Sequence, residues 1–128
     1  MPQRTPTPRR PAVRMLSDAF QAFYEFHQPG YLAYAAAHLS DDEARIAVTH
    51  TFSLIAADWP QTVTQPNPAA YAWDLHTHFV TARTGTHNDP QQDTLLLYEC
   101  LHLTIERIAA LTGSEPAAVA ALLAAAQR

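Results

Sequence analysis

The sequence contains no lysine, so its eight basic side chains are all arginines, set against twelve acidic residues for a net charge of −4. Four arginines (Arg4, Arg9, Arg10 and Arg14) lie within the first fourteen residues. From residue 15 onward, four arginines therefore face twelve acidic residues, a net charge of −8. Proteins that bind duplex nucleic acid present a basic face, because much of their affinity comes from neutralising phosphates. This distribution argues against duplex binding by the body of the chain.

Cysteine, glycine and long apolar runs are equally scarce. Cys100 is the only cysteine, which excludes an intrachain disulfide and favours a cytoplasmic location. Three glycines are too few for a Gly-rich phosphate loop, and no run approaches the roughly 20 apolar residues of a membrane span. Carboxylates cluster only at one helix start, where they complement the helix dipole. We therefore expect neither an enzyme nor a membrane protein, with no catalytic residues and no cofactor.

Seven histidines and one cysteine raise the question of a metal site. The candidates His76 and His78 are two residues apart, as are Cys100 and His102, and such neighbours on a helix point about 200° away from each other. We therefore predict no metal site. Instead we expect His78 to be half-buried in the core, His76 to lie at the surface and Cys100 to pack as a small core residue.

Helical periodicity dominates the sequence and predicts an all-α fold with no strand. Residues 1–14, rich in arginine and proline, are predicted to be a disordered arm. A first helix is expected to begin at the N-cap Ser17 and to break at Pro29-Gly30. A second is expected from Ser40, through a capping box with Glu43, to a stop at Pro60. A third follows Asn67-Pro68 and closes near Gly85, its apolar stripe being Tyr71, Leu75, His78, Phe79 and Ala82.

After Asp89-Pro90 the pattern predicts three more helices, Pro90–Leu101, Ile105–Leu111 and Glu115–Gln127, the last two capped by Thr104 and Ser114. The organisation expected from these elements is a helical module over residues 15–84, a linker over 85–89 and a second helical module over 90–128.

Within the second module, the spacing of Ala109, Gly113 and Val119 matches a helix-turn-helix. That motif needs a small residue where the helices cross, a glycine with positive φ in the turn and an aliphatic side chain beyond it. DNA-binding versions present Arg, Lys, Asn or Gln on the second helix. The positions expected to face outward here offer none of these, being Glu115, Pro116, Ala117, Ala118, Ala120 and Ala121.

Two sets of segments carry a resemblance to a known family. The first set comprises Phe20–His27, Tyr31–Ala35, Ala47–Phe52, Trp59 and Asn67–Trp73, and the second is Leu96–Gly113. Together they resemble the second and fourth conserved regions of the sigma-70 family of RNA polymerase sigma factors, specifically its small extracytoplasmic-function members. The resemblance implies that the first module docks on the polymerase core and melts promoter DNA, while the helix-turn-helix reads the upstream promoter element.

The departures from the family fall on its working surfaces. The resemblance places polymerase or partner contacts on the helix from Asp41, at Asp42, Glu43, Arg45, Ile46, Thr49 and His50, of which only the first two are acidic. It places a DNA face on the helix from Pro68, at Trp73, Asp74, His76, Thr77 and Arg83, where Arg83 is the one remaining arginine. About seven residues join the modules and span about 25 Å, too short to reach between separated promoter elements.

Three hypotheses follow. The first is a degenerate sigma-like protein that regulates transcription by contacting RNA polymerase core, an anti-sigma factor or another regulator, with weak or absent promoter binding. The second is a working sigma factor whose polymerase contacts compensate for its weak DNA surfaces. The third is a helical homo-oligomer that uses the alanine-rich last helix as its interface.

Overall fold

Helices account for nearly all of the regular structure. The computed structural model describes residues 9–85 and 89–127, with side chains from Ser17 onward. It contains helices α1 (Arg9–His38), α2 (Asp41–Ala57), α3 (Trp59–Val63), α4 (Pro68–Thr84), α5 (Pro90–Leu95), α6 (Ile105–Thr112) and α7 (Pro116–Ala126), with a π-helical segment Leu96–Cys100 directly after α5. Since no strand occurs in those residues, the predicted all-α fold is confirmed.

The first helix is longer than predicted at both points where the sequence suggested an end. It begins at Arg9, not after Ser17, so part of the expected arm is helical, while residues 1–8 of that arm lie outside the described residues. It also continues through Pro29, although an interior proline removes one hydrogen-bond donor and its ring crowds the preceding turn. Burial of Tyr31 and Tyr34 directly after the proline outweighs that loss, because each is at most 1% exposed.

Four predicted helix starts are confirmed by their hydrogen bonds. Ser40, Asn67, Asp89 and Thr104 each accept a bond from a backbone N–H two or three residues ahead, at 3.0–3.3 Å. The predicted cap Ser114 is wrong, since Glu115 occupies the cap position of α7 without a side-chain bond.

The second helix ends earlier than the sequence suggested. It stops at Ala57, and Pro60 lies in the first turn of the short helix α3, where a proline is tolerated because its missing N–H would be unpaired anyway. The predicted stop at Pro60 was therefore wrong, because α2 ends at Ala57 and Pro60 belongs to the next helix. The break turns Trp59 inward, where it is 6% exposed.

The core is continuous from the first helix to the last. Its buried side chains come from α1, α2 and α4 and also from the later elements, which contribute Leu97, Ile108, Leu111, Val119 and Leu123. Helix α4 packs on both α2 and α6. The two segments predicted as modules, residues 15–84 and 90–128, are therefore not confirmed as separate units, because they bury their apolar faces against one another.

Three polar contacts tie the two segments together in addition to that core. The Tyr34 hydroxyl donates to Asp93 Oδ1 at 3.0 Å, and Asn67 Nδ2 donates to the Gly113 carbonyl at 2.7 Å. Arg107 lies over the ring of Phe26 at 4.2 Å and donates to its carbonyl at 3.1 Å. These contacts fix α5, α6 and the turn before α7 against the first four helices.

Within residues 9–85 and 89–127, no one helix has both the length and the apolar character needed to cross a membrane; α6 and α7 meet that test only when taken together, as a pair bent by 112°.

Candidate functional site

The six residues predicted to contact a partner from α2 all lie at the surface. Asp42, Glu43, Arg45, Ile46, Thr49 and His50 are exposed on the side of α2 opposite its buried residues. We call this set the α2 face. At its centre Ile46 is 51% exposed, the most exposed of the large hydrophobic side chains among the described residues.

The charges of the α2 face are largely paired within the chain. Asp42 lies 3.2 Å from Arg45, and Glu43 lies 3.6 Å from Arg83 at the end of α4. The expected capping-box reach of Glu43 is thus replaced by an ion pair between helices. His50 stacks on Phe79 of α4, with ring centroids 4.2 Å apart. A binding partner would therefore contact a surface whose charges are paired within the chain and whose centre is an exposed apolar side chain.

The five residues predicted to form a DNA face on α4 do not share one surface. Trp73, His76 and Thr77 are buried, at 7%, 0% and 2% exposure, and only Asp74 and Arg83 are exposed. One of these two is acidic and the other is paired with Glu43. Helix α4 therefore presents no continuous basic or aromatic surface to a nucleic acid.

The register of α4 differs from the predicted one. Its buried residues are Ala72, Trp73, His76, Thr77 and Val80, whereas Tyr71 and His78 are exposed. Two stripes with helical spacing were available in this segment, and the observed one buries Trp73, which has the largest side chain. The prediction that His78 is in the core and His76 at the surface was wrong.

His76 is tolerated in the core because both its ring nitrogens have partners. Nε2 lies 2.9 Å from the Tyr31 carbonyl, so it carries the proton in the neutral ring, and Nδ1 lies 3.0 Å from Thr51 Oγ1, whose one proton is shared with the Ala47 carbonyl at 2.8 Å. The ring also stacks on Tyr31 with centroids 4.4 Å apart and planes 7° from parallel. Burial lowers the pKa of His76 to about 4, against a smaller opposing effect of the Tyr31 carbonyl.

These bonds leave His76 no free lone pair for a metal ion. More generally, the part of the chain with described side chains holds no group of three His, Cys, Asp or Glu residues that could bind a metal. Cys100 lies at the end of the π-helical segment and is exposed, so the expectation that it packs in the core was wrong.

The turn before α7 has the local geometry predicted for it. Gly113 has φ of 76°, and Ala109 and Val119 are 5% and 1% exposed. The six positions expected to face outward on the second helix, from Glu115 to Ala121, are indeed exposed. Helices α6 and α7 meet at an angle of 112°. Helix α7 buries one side in the core and exposes the side that carries these six positions.

The same turn packs against another helix of the chain. A Cβ atom on Gly113 would collide with the backbone of Ala70 at the start of α4, so the turn packs directly on that helix. Arg107, the one arginine among residues 89–127, is engaged with Phe26 on α1. Consequently, no arginine among residues 89–127 is free to contact a nucleic acid at the surface around α7.

Sequence reasoning missed the polar pair that joins the two segments. Asp93 is 7% exposed and its carboxylate accepts the Tyr34 hydroxyl, and burial raises its pKa above the ordinary value. The two residues are 59 positions apart, and neither belongs to a recognisable motif. From sequence alone, an acidic residue in the first turn of a helix is explained by its favourable interaction with the helix dipole. No local signal therefore indicated that Asp93 would be buried.

Comparison with known proteins found no matching family model, no matching curated protein and no matching solved structure.

Proposed function

We propose that this chain is a degenerate sigma-factor-like protein of the cytoplasm that regulates transcription through contacts with another protein, RNA polymerase core in the first place. The observation that carries the proposal is the contrast between two exposed surfaces. The α2 face has an apolar centre suited to a protein partner, whereas α7 exposes only alanine, proline and one glutamate over the positions that would read DNA.

The α2 face supports protein recognition because an exposed aliphatic side chain is surrounded by polar groups. Protein interfaces commonly combine an apolar anchor with a polar rim that excludes water. Ile46 supplies the anchor, and the Asp42–Arg45 pair supplies part of the rim. Because that pair is solvent-exposed, it contributes little to the stability of the fold itself.

The exposed side of α7 supports weak or absent promoter binding. A recognition helix discriminates bases through bidentate bonds from arginine, asparagine or glutamine, and alanine can make none. Glu115 at the start of α7 would in addition face phosphates with a negative charge. The two-helix geometry resembles a helix-turn-helix, but its outward chemistry does not match one that reads a sequence.

Binding to purified polymerase core tests the proposal. We expect the wild-type chain to bind core, and Ile46→Arg to weaken that binding by about tenfold, because it places a charge at the centre of the interface. Val63→Arg is the matched control, since Val63 is exposed to a similar extent on α3, away from the α2 face. Equal effects of the two substitutions, or no binding of the wild type to core, would contradict the proposed contact.

A promoter-binding assay tests the other half of the proposal. We expect no sequence preference for duplex promoter fragments at physiological salt, with or without core polymerase. Specific transcripts produced by core on addition of this protein would instead establish a working sigma factor and refute the proposal.

A further inference from the structure

A cavity lies where α4, α5 and α7 meet beside the turn that precedes α7. It has a volume of about 250 Å³, and its apolar walls include Trp73, Pro90, Leu97 and Leu122. We call it the junction cavity, because residues of both segments line it. The space is sufficient for a small organic molecule, since one water molecule needs only about 10–15 Å³ of such a cavity.

The buried carboxylate in the wall of this cavity has no cation. Asp93 is 7% exposed, its Oδ1 accepts the Tyr34 hydroxyl at 3.0 Å, and its Oδ2 has no hydrogen bond from the described residues. The exposed His38 on α1 is near enough to favour the charged carboxylate but forms no ion pair with it. Aspartates are almost never this deeply buried without a positively charged partner. The unpaired oxygen of Asp93 therefore marks a place where a cation would be stabilised.

The hydroxyl groups that line the cavity offer acceptors more than donors. Thr94 Oγ1 donates to the Pro90 carbonyl at 2.7 Å, and Thr112 Oγ1 donates to the Ile108 carbonyl at 2.8 Å. Because the one proton of Thr112 bonds to that carbonyl, its 3.0 Å contact with Ser114 Oγ uses the proton of the serine. The lone pairs that remain suit a ligand that donates hydrogen bonds.

The other lining residues restrict the kind of cation. Asp74 is exposed and adds a second carboxylate, and no basic side chain lines the cavity. A metal ion does not fit, because the described side chains contain no group of three His, Cys, Asp or Glu residues to hold it. The ring of Trp73 and the aliphatic walls instead suit an organic cation, since tryptophan is the side chain that attracts such cations most strongly.

We propose that the junction cavity binds a small organic cation, a primary amine with a short apolar body. Its ammonium group donates to the unpaired oxygen of Asp93, and Asp74 adds negative charge where the cavity reaches solvent. Its apolar body lies against Trp73 and the aliphatic walls. The proposal does not depend on the proposed function, because its tests need no polymerase.

An NMR titration at neutral pH and constant ionic strength tests the binding, with butylammonium as the probe. We expect saturable shifts of the backbone amides of Asp93, Thr94 and Ser114 and of the indole N–H of Trp73. The uncharged 1-butanol has the same number of heavy atoms and should bind at least about tenfold more weakly, because it cannot neutralise a buried carboxylate. Absence of saturable shifts up to about 50 mM butylammonium, or equal binding of 1-butanol, overturns the proposal.

Three substitutions locate the site. Asp93→Asn keeps an oxygen for the Tyr34 hydroxyl but removes the charge, and it should weaken butylammonium binding by at least about tenfold. Asp74→Asn should weaken it about two- to threefold, because that carboxylate is exposed. Asp18→Asn is the matched control, since it changes the net charge equally at an exposed position of α1 outside the cavity, and it should leave the affinity unchanged.

Each outcome of this comparison decides the proposal. Wild-type affinity in Asp93→Asn overturns it. If Asp93→Asn does not fold, Asp74→Asn decides instead, because its exposed side chain can change without disturbing the core, and an affinity equal to that of Asp18→Asn overturns the proposal. Tetrabutylammonium carries the same charge on a much bulkier body and should not bind. If it shifts the same amides as strongly as butylammonium, the cation is held on the acidic surface and not in the cavity, and the proposal is wrong.

Discussion

Protonation of His76 should make this fold strongly sensitive to mild acid. In the folded chain its pKa is about 4, because burial disfavours the charged ring, whereas an unfolded chain restores the ordinary value near 6.5. Between those two values the unfolded state binds more protons than the folded state. The free energy of unfolding therefore falls as the pH decreases from about 6.5 to about 4, and it is fully retained above that window.

The size of the effect follows from the difference of the two pKa values. Relative to neutral pH, His76 alone should reduce the free energy of unfolding by about 2 kcal/mol at pH 5 and about 3 kcal/mol at pH 4. A domain of this size is typically stable by only about 5–15 kcal/mol, so the loss is a large fraction of the total. His27, whose pKa burial also lowers to about 4, acts in the same direction.

Urea unfolding near pH 7 and pH 5 measures the loss, and two variants assign it. His76→Phe keeps a ring against Tyr31 but cannot titrate, so its stability should change with pH by about 2 kcal/mol less than that of the wild type. His78→Gln alters an exposed histidine of the same helix and is the control. The buried Asp93, whose pKa is raised, acts in the opposite direction, but it is common to all three proteins and cancels in the comparison.

An NMR titration of the folded wild type can refute the reasoning without any variant. The ring of His76 should remain neutral from pH 7 down to about pH 5. If it titrates near pH 6.5 while the protein is still folded, either the ring is hydrated or its two hydrogen bonds do not hold, and the predicted pH dependence is wrong.

Two matched pairs of substitutions test the packing around the junction of the two segments. Gly113→Ala should destabilise the fold by about 3 kcal/mol or more in urea unfolding, because it combines positive φ with a backbone collision, while Gly85→Ala, with the same φ but open space, should cost about 1 kcal/mol. Tyr31→Phe should stabilise by about 1 kcal/mol because it removes a buried hydroxyl without a partner among the described residues, whereas Tyr34→Phe should destabilise by a similar amount because it leaves Asp93 unpaired. Equal effects within either pair would contradict the corresponding explanation.

Four of the six predicted helix starts are confirmed, whereas the predicted register of α4 was wrong. Ser40, Asn67 and Thr104 could be assigned because a cap depends on bonds within three or four residues. The register of α4 depends on which of two competing stripes finds partners elsewhere in the fold. His76 is buried because Thr51 and Tyr31, 25 and 45 residues away, supply its hydrogen bonds, and this information is absent from the local pattern.

The same distinction applies to the candidate site. The positions of the α2 face were assigned from the resemblance to sigma factors and those of α7 from the helix-turn-helix spacing, and both sets are exposed. The ion pair between Glu43 and Arg83 could not be predicted, because it joins two helices whose packing the sequence does not specify. The unbroken course of α1 past Pro29 was also not foreseen, since the proline was expected to break that helix.

The contacts of the turn before α7 decide how the two segments can act. If α6 and α7 were to swing away and read DNA independently, the chain would lose the Asn67–Gly113 and Tyr34–Asp93 hydrogen bonds and the Arg107 contact with Phe26. Each such bond contributes about 1 kcal/mol, and the separation would also expose Leu111 and other core side chains shared by the segments. Separation therefore costs at least about 3 kcal/mol, a large fraction of the roughly 5–15 kcal/mol by which a domain is typically stable. The scarcity of positive charge on α7 and the burial of its turn consequently lead to the same expectation, that these helices act as one unit with α1–α4 when the chain binds a partner.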